Sequence, residues 1–347
     1  MARKDAQDED GTGGKITIRE VAKLAGVSVG TVSRALNTPD KTSPDARAAV
    51  ERAVATLGYQ VNAIARSMRT HNTRAVGLLV HDIRNPIFAA VAQAAQESLS
   101  QFGYLLVLTG SDAAGTSDPK LIAMLHQRRM DGLIAFLRNE TDPEVERALK
   151  LFDGRAVLVD RDTRAEADVV LSDHATGVSL ATEHLFDLGH RRIGFITGAG
   201  HILPGRQRVA GFVNAHERRQ IPLDRNFIRM GSLQADYGYR ETFALLDLPK
   251  PPTSIVAAGN QLLEGVLAAL KTRGVRIPYD LSVIGFDDTP LAALATPSIT
   301  VVRRDMVATG HTAAGLLLDR LSGKKVDAPR RVVLATELVL RESTAPV

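Results

Sequence analysis

Four acidic and two basic positions in this chain share one kind of address. Asp82, Asp160 with Arg161, and Asp287 with Asp288 stand at the ends of the short apolar runs AVGLLV (75–80), AVLV (156–159) and VIGF (283–286). Arg208 opens a helical pattern soon after IGFIT (193–197). If those runs are strands of open α/β sheets, their following residues gather off the strand carboxyl ends, where such folds bind ligands. Carboxylates and a guanidinium in that place can share the vicinal hydroxyls of a sugar through charge-assisted hydrogen bonds. Phe88 fits an apolar wall of the same site. Plainer roles exist for some of them: Asp288 can cap a turn, and Asp82 and Arg161 can tie two lobes together by ion pairs. His81, Arg84, Arg138, Arg161, His201 and Arg208 make the cleft mouth basic, which favours an acidic effector such as a sugar acid or sugar phosphate.

A second group suits DNA. The stretch ITIREVAKLAGVSVGTVSRALN (16–37) reads as two short helices around a tight turn. Thr17 and Glu20 have capping-box spacing. Val21, Ala22, Leu24 and Ala25 give the first helix an apolar side, and Gly26 supplies the bend. Ser28 caps the second helix, whose Val32, Ala35 and Leu36 can pack inward while Val29, Gly30, Ser33 and Arg34 face out. This is the layout of a DNA-reading helix-turn-helix, although an ordinary helical hairpin shares it. Charge favours the DNA reading. Residues 15–70 hold nine Lys and Arg against four Asp and Glu, an excess of five, while the whole chain carries only +4. A local basic excess beside such a motif suits phosphate binding.

The elements that must position these groups follow in order. Residues 1–14 read as a disordered polar tail. Ser43 and Pro44 open a third helix that Gly58 ends, completing a headpiece over 15–60. The segment 61–74 reads as a linker carrying a short amphipathic helical pattern, with a plain interdomain linker as the alternative. Its Ile64, Ala65 and Met68 lie on one side and Arg66 and Arg69 on the other, and it is too short to be stable alone, so it can fold on DNA. From Ala75 apolar strands alternate with helical patterns, which predicts parallel sheets wrapped by helices. That core spans 75–347 and is too long for one such sheet, so two lobes are expected. There is no Cys, no 18-residue apolar run and no apolar leader at the N-terminus. Disulfide and thiol chemistry are excluded, and no transmembrane helix or secretory signal is expected. No cofactor or metal site is expected either. There is no G-x-x-x-x-G-K-[ST] phosphate loop and no H-E-x-x-H. Two carboxylates can imitate a glycosidase pair, and a nucleotide or sugar kinase fused to a DNA reader is the enzyme alternative. A free-standing sugar-binding protein is a third reading.

The chain resembles the lactose-repressor type (LacI/GalR) family of transcriptional regulators. The residues that carry this are ITIREVAKLAGVSVGTVSRALN, NAIARSMR, VGLLVHDIRNPIF, VLVDR, EHLFDLGHRRIGFITG, RVAGF, SVIGFDD and LVLRES, in the family's order. The resemblance implies an α/β protein: an all-α helix-turn-helix headpiece, then a two-lobed, doubly wound parallel-sheet core like a periplasmic binding protein. The chain is expected to cross between lobes three times, with lobe 1 at about 75–173 and 303–323 and lobe 2 at about 174–302 and 324–347. Val29, Gly30 and Arg34 match base-facing positions, Arg34 being able to bind guanine bidentately. Ser28, Thr31, Ser33 and Asn37 are placed for phosphates, and Thr17 belongs to the same DNA-binding set. Tyr59, Asn62, Ile64, Ala65 and Met68 complete the DNA set. Met68 stands where a minor-groove Leu wedge is usual, and Val61 where Pro is common. Arg208 and Asp287 match principal effector contacts, joined by Asp82, Phe88, Asp160 and Arg161. Gly259–Asn260 departs from the usual Asn-Asp. The implied protein is a cytoplasmic, nucleoid-associated dimeric repressor on a pseudo-palindromic DNA operator, controlled by a carbohydrate or sugar-acid effector. With no heptad tail after LVLRES, a dimer is expected and not a tetramer, and helix 87–101 is a candidate for its interface.

Overall fold

The computed structural model describes residues 16–37, 39–59, 72–110, 117–324, 326 and 328–347. The chain divides into two compact units, Met1–Thr73 and Arg74–Val347.

In the first unit, α1 (Ile18–Ala25), α2 (Val29–Asn37) and α3 (Pro44–Leu57) enclose a small core of Val21, Ala22, Val32, Ala35, Val50 and Ala53. Gly26 and Gly58 end α1 and α3 in the left-handed region, at φ 67° and 61°. A Cβ is disfavoured there, which is why glycine marks both turns. Leu24 departs from the expected apolar side of α1: it is 54% exposed.

The second unit contains two six-stranded sheets. The first lobe begins with β1 (Ala75–Val80), α4 (Pro86–Ser100), β2 (Leu105–Gly110), α5 (Asp118–Gln127), β3 (Gly132–Ala135), α6 (Pro143–Leu149), β4 (Ala156–Val159) and β5 (Asp168–Ser172). The second holds α7 (His174–Asp187), β6 (Ile193–Gly198), α8 (Leu203–Arg218), β7 (Ile228–Gly231), α9 (Ala235–Leu246), β8 (Ser254–Ala257), α10 (Asn260–Arg273), β9 (Ser282–Phe286), α11 (Pro290–Leu294) and β10 (Thr300–Arg304). Then α12 (Met306–Leu321) packs on the first lobe against α4. Strands β11 (Arg331–Leu334) and β12 (Thr336–Val339) close one sheet each. The orders are β11-β5-β4-β3-β1-β2 and β12-β10-β9-β8-β6-β7. All pairings are parallel except β12 with β10. Each sheet has apolar clusters on both faces, as buried parallel sheets require.

The chain crosses between lobes at 172–174, 304–306 and 334–336. Two expected boundaries therefore need correction. Arg303 and Arg304 still belong to β10, in the second lobe. The last crossing falls ten residues beyond 324, because β11 pairs with β5 in the first sheet, Arg331 opposite Val169. As an edge strand, β11 is never buried at any of its four residues, and its apolar run Val332–Leu334 is too short to announce a strand by itself. The edge strands β7 and β12 escaped prediction for the same reason.

Candidate functional site

In the headpiece, the N-terminus of α1 is fixed by Glu20, whose Oε2 accepts the Thr17 main-chain N–H at 2.7 Å and its hydroxyl at 3.0 Å. Ser28 Oγ accepts the Thr31 N–H at 3.1 Å and starts α2. These caps leave Val29, Gly30 and Arg34 exposed while Val32 and Ala35 are buried beneath them. Val29 is 42% exposed, which is unusual for a residue of its kind unless something covers it. Thr31 and Ser33 are half-buried on the same helix. Thus α2 presents a small, shallow surface with one long cation. Tyr59 packs against the headpiece core. Asn62, Ile64, Ala65 and Met68 lie outside the described residues, and of Asn37 only the backbone is described.

In the second unit the strand ends converge as expected. Asp82 follows β1, Asp160 and Arg161 follow β4, Asp287 follows β9, and Arg208 lies on α8 beyond β6. A cleft of about 820 Å³ between the lobes is lined by His81, Asp82, Arg84, Arg138, Arg161 and His201, with Ile202 and Leu233 as apolar wall. Five of the six basic residues anticipated for the mouth thus face one space. Arg208, the sixth, sits deeper, with Phe88, Asp160 and Asp287, around a residual space of only about 40 Å³.

That deeper floor is dominated by Arg304, which the sequence reading did not single out. Its Nε and Nη2 donate to both oxygens of Asp287 at 2.6 and 2.9 Å, and Nη1 donates to Asp160 Oδ2 at 2.6 Å. Asp160 comes from the first lobe and Asp287 and Arg304 from the second, so the triad bridges the lobes. Asp160 and Asp287 occupy corresponding places at the ends of β4 and β9. Both have left-handed backbones, φ 50° and 67°, a costly conformation for a non-glycine residue. Each donates its N–H to the neighbouring strand, to Val170 O and Val302 O, both at 2.9 Å. The Ser172 N–H donates to Asp160 Oδ1 at 2.7 Å. Burial pushes the Asp160 carboxyl up, but His174 and Arg304 outweigh it and hold it below the usual range. Arg304 is buried too, yet its two carboxylates raise it further.

Arg208 is pulled the other way. Burial and the nearby Arg304 bring it down to about 9. It donates to Ala258 O at 2.8 Å and lies over the Phe286 ring at 4.3 Å. Its Nε reaches His174 Nδ1 at 3.4 Å, so that nitrogen accepts and the His174 proton sits on Nε2, 3.2 Å from Asp160 Oδ1. Burial brings His174 down to about 4. Phe88 stacks edge-on with His81 and Phe136, each at 4.8 Å between centroids.

Three polar contacts also bind lobe to lobe. Asn85 and Asn260 exchange amide hydrogen bonds at 2.8 and 3.3 Å. Gln261 donates to Asp82 Oδ2 at 3.0 Å. Arg206 pairs with the fully buried Glu140 at 2.6 Å. Asp82 therefore does tie the lobes together, through an amide and not an arginine, while Arg84 chelates it and holds it down at about 2. Among the described residues Arg161 makes no ion pair across the lobes; it donates to Leu137 O and Asp160 O in its own lobe. Asp288 is paired with Arg341 at 2.7 Å. Of the missed residues, Arg304 had a signal: it ends the run ITVVRR, and the strand-end rule used for the aspartates applies to it equally. Asn85, Gln261 and His174 had no comparable mark, and Asn260 stood out only as part of the departure from the usual Asn-Asp.

Similarity to known proteins accords with this construction. Residues 17–62 match the model for bacterial regulatory proteins of the lacI family, and residues 182–344 match a periplasmic binding protein-like domain. The ribose operon repressor of Halalkalibacterium halodurans is 33% identical over 328 residues, covering 94% of this chain and 97% of its own. The HTH-type transcriptional repressor PurR of Escherichia coli is 31% identical over 331 residues, covering 95% and 97%. The lac repressor dimer bound to operator and the anti-inducer ONPF matches with a TM-score of 0.84 at 27% identity, over 96% of this chain and all of that one. The transcriptional regulator CelR in complex with cellobiose matches at 0.70 and 30% identity, over 94% and 99%. With a lacI-type headpiece, a two-lobed binding core and relatives of this identity along almost its whole length, the chain belongs to the lacI family of bacterial regulatory proteins.

Proposed function

We propose that this protein is a transcriptional repressor that binds a two-fold symmetric DNA operator as a homodimer, and whose affinity for that operator is set by a small molecule in the cleft between the core lobes. The observation that carries this is the pairing, in one chain, of an exposed α2 surface with a cleft whose floor links both lobes. The relatives' names support it: they are repressors, one of the ribose operon, and the solved neighbours include a dimer on its operator and a complex with cellobiose. On this reading Val29, Gly30 and Arg34 meet base edges, and Thr17, Ser28, Thr31, Ser33 and Asn37 meet phosphates, with Tyr59 and the 62–68 segment adding to the contact. The effector belongs to the carbohydrate or sugar-acid class. The operator is chromosomal and the site of action the cytoplasm. No catalytic role is assigned.

The dimer's first-lobe contact is best placed beside α4. Phe88, Val91, Ala94, Ala95 and Leu99 of that helix face its own core. The apolar side chains left exposed are next to it, with Phe102 at 58% and Leu105 at 61%, the latter on the edge strand β2. An exposed apolar edge strand calls for a partner.

Selection of random duplex DNA by the purified protein tests the reading. The expected result is a two-fold symmetric consensus, with Arg34→Ala relaxing preference at one guanine per half-site by about 1–3 kcal/mol. A consensus without symmetry, or one that Arg34→Ala leaves unchanged, contradicts it.

A further inference from the structure

We propose that the chain closes its own cleft: a row of direct contacts between its side chains holds the two core lobes together, so that closure needs no small molecule. This rests on the operator reading above and states which form of the core the free protein presents.

The contacts follow the strand order. Each sheet runs from its crossing strands, β5 and β11 in the first lobe and β10 and β12 in the second, out to an edge strand, β2 or β7. Nearest the crossings, Arg304 at the end of β10 donates to Asp160 after β4, while Asp287 holds its other two nitrogens. Farther out, Glu140 after β3 accepts from Arg206 of α8, the helix that follows β6. Asn85 and Asp82 after β1 meet Asn260 and Gln261, which open α10 after β8. The cavity of about 820 Å³ reaches the edge, since its lining includes Gly110 and Gly231, the last residues of β2 and β7. Inward of it only about 40 Å³ remains between the lobes, beside Asp160, Arg208, Asn260 and Arg304.

These contacts differ from surface ion pairs, which water and loose side chains make weak. Asn85, Glu140, Asp160, Asn260 and Arg304 are all buried. A buried pair is favourable only where further hydrogen bonds satisfy its remaining atoms. Here they do, and they come from the same lobe. Asp160 also accepts the Ser172 N–H, Glu140 the Asp162 N–H, and Arg304 also holds Asp287. Each group is therefore fixed before the lobes meet, and one bond per group remains to form across the gap. Such preorganisation lowers the ordering cost of closure. A ligand that prefers the closed form then has little left to shift. Control of operator binding falls to a molecule that parts the lobes.

The test is single-molecule energy transfer in the full chain, in buffer alone. The chain has no cysteine. Dyes attached through Lys120→Cys on α5 and Arg240→Cys on α9, both exposed and on the helices that follow the edge strands, report the mouth. An excess of unlabelled chain ensures that a dimer carries one labelled copy. The labelled parent is expected to show a single high-transfer population. Arg206→Gln combined with Gln261→Ala, and separately Arg304→Gln, are each expected to lower the ratio of closed to open at least about tenfold, the weight of one charge-assisted hydrogen bond. The double variant lies at positions that water already reaches, so it decides the matter if Arg304→Gln does not fold. Arg218→Gln, whose pair with Glu183 lies within the second lobe, is the control and leaves the ratio unchanged. A low-transfer population in the parent, or a double variant as closed as the parent, overturns the proposal. Operator affinity separates this from the reading it rests on. The opened variants are expected to differ from the parent by at least about fivefold. Opened lobes with unchanged operator affinity overturn the coupling alone, and lobes that stay closed overturn self-closure alone.

Discussion

Arg304 sets the character of this cleft through three charged hydrogen bonds, two to Asp287 and one to Asp160, that one residue change would remove. Replacing it with methionine keeps the unbranched apolar stem, removes the guanidinium and leaves Asp160 and Asp287 buried beside each other with no cation between them. Breaking one side of a buried pair typically costs about 3–5 kcal/mol. Arg304→Met is therefore expected to lower stability by about that amount, read from denaturant unfolding, and a loss below about 1 kcal/mol would show that the triad is not what holds the lobes. The residue scale is also where the sequence was most and least informative. Asp82, Asp160, Arg161 and Asp287 were legible because each follows an apolar run that becomes a strand, and strand ends must meet at the cleft. What those residues do there was not legible. Whether a carboxylate waits for a ligand or is consumed by an arginine 144 positions away depends on packing between lobes, which no local pattern records.

At the scale of elements, helices are held at close range by glycines. A Cβ on Gly265 of α10 would stand 2.0 Å from Ala235 O and 2.6 Å from Tyr239 N of α9. Backbone cannot yield as a side-chain tip can, so Gly265→Ala must push the two helices apart. Overpacking of this sort costs about 1–3 kcal/mol. Gly315 of α12 is the contrast, since a Cβ there meets nothing within 4 Å. Gly315→Ala is expected to stabilise the protein by about 0.5–1 kcal/mol through helix propensity. Thermal unfolding of both variants separates the two effects, and a destabilised Gly315→Ala or an unaffected Gly265→Ala would contradict the packing described. Interior elements such as β1, β4 and β9 could be read from their continuous apolar runs because both their faces are covered. The edge strands β7, β11 and β12 could not, since each is four residues long and holds at most three apolar residues in a row. That is why the third crossing between lobes was misplaced by ten residues.

At the scale of the whole molecule, histidines couple folding to pH. His81 is brought down to about 3 and His174 to about 4, both chiefly by burial, and His184, His190 and His216 are lowered by the same cause. In the folded protein these rings stay neutral where the unfolded chain, at about 6.5, takes up protons. Their contribution to stability is thus complete above pH 6.5 and is lost as pH falls from there toward 4. The unfolding midpoint is expected to drop steadily between pH 6.5 and 4.5, and a flat profile over that window would contradict neutral, buried histidines.

The central claim joins the two units: a cleft ligand and the operator must each know whether the other is bound. Linkage makes this measurable, because a ligand that changes operator affinity by some factor has its own affinity changed by the same factor when operator is present. The direct measurement is the affinity of a selected operator with and without each cleft-binding sugar or sugar anion, paired with that ligand's affinity with and without operator. The account predicts a matching change of at least about fivefold in both, the lower end of allosteric coupling, in either direction. A ligand that fills the cleft while both affinities stay the same would contradict it.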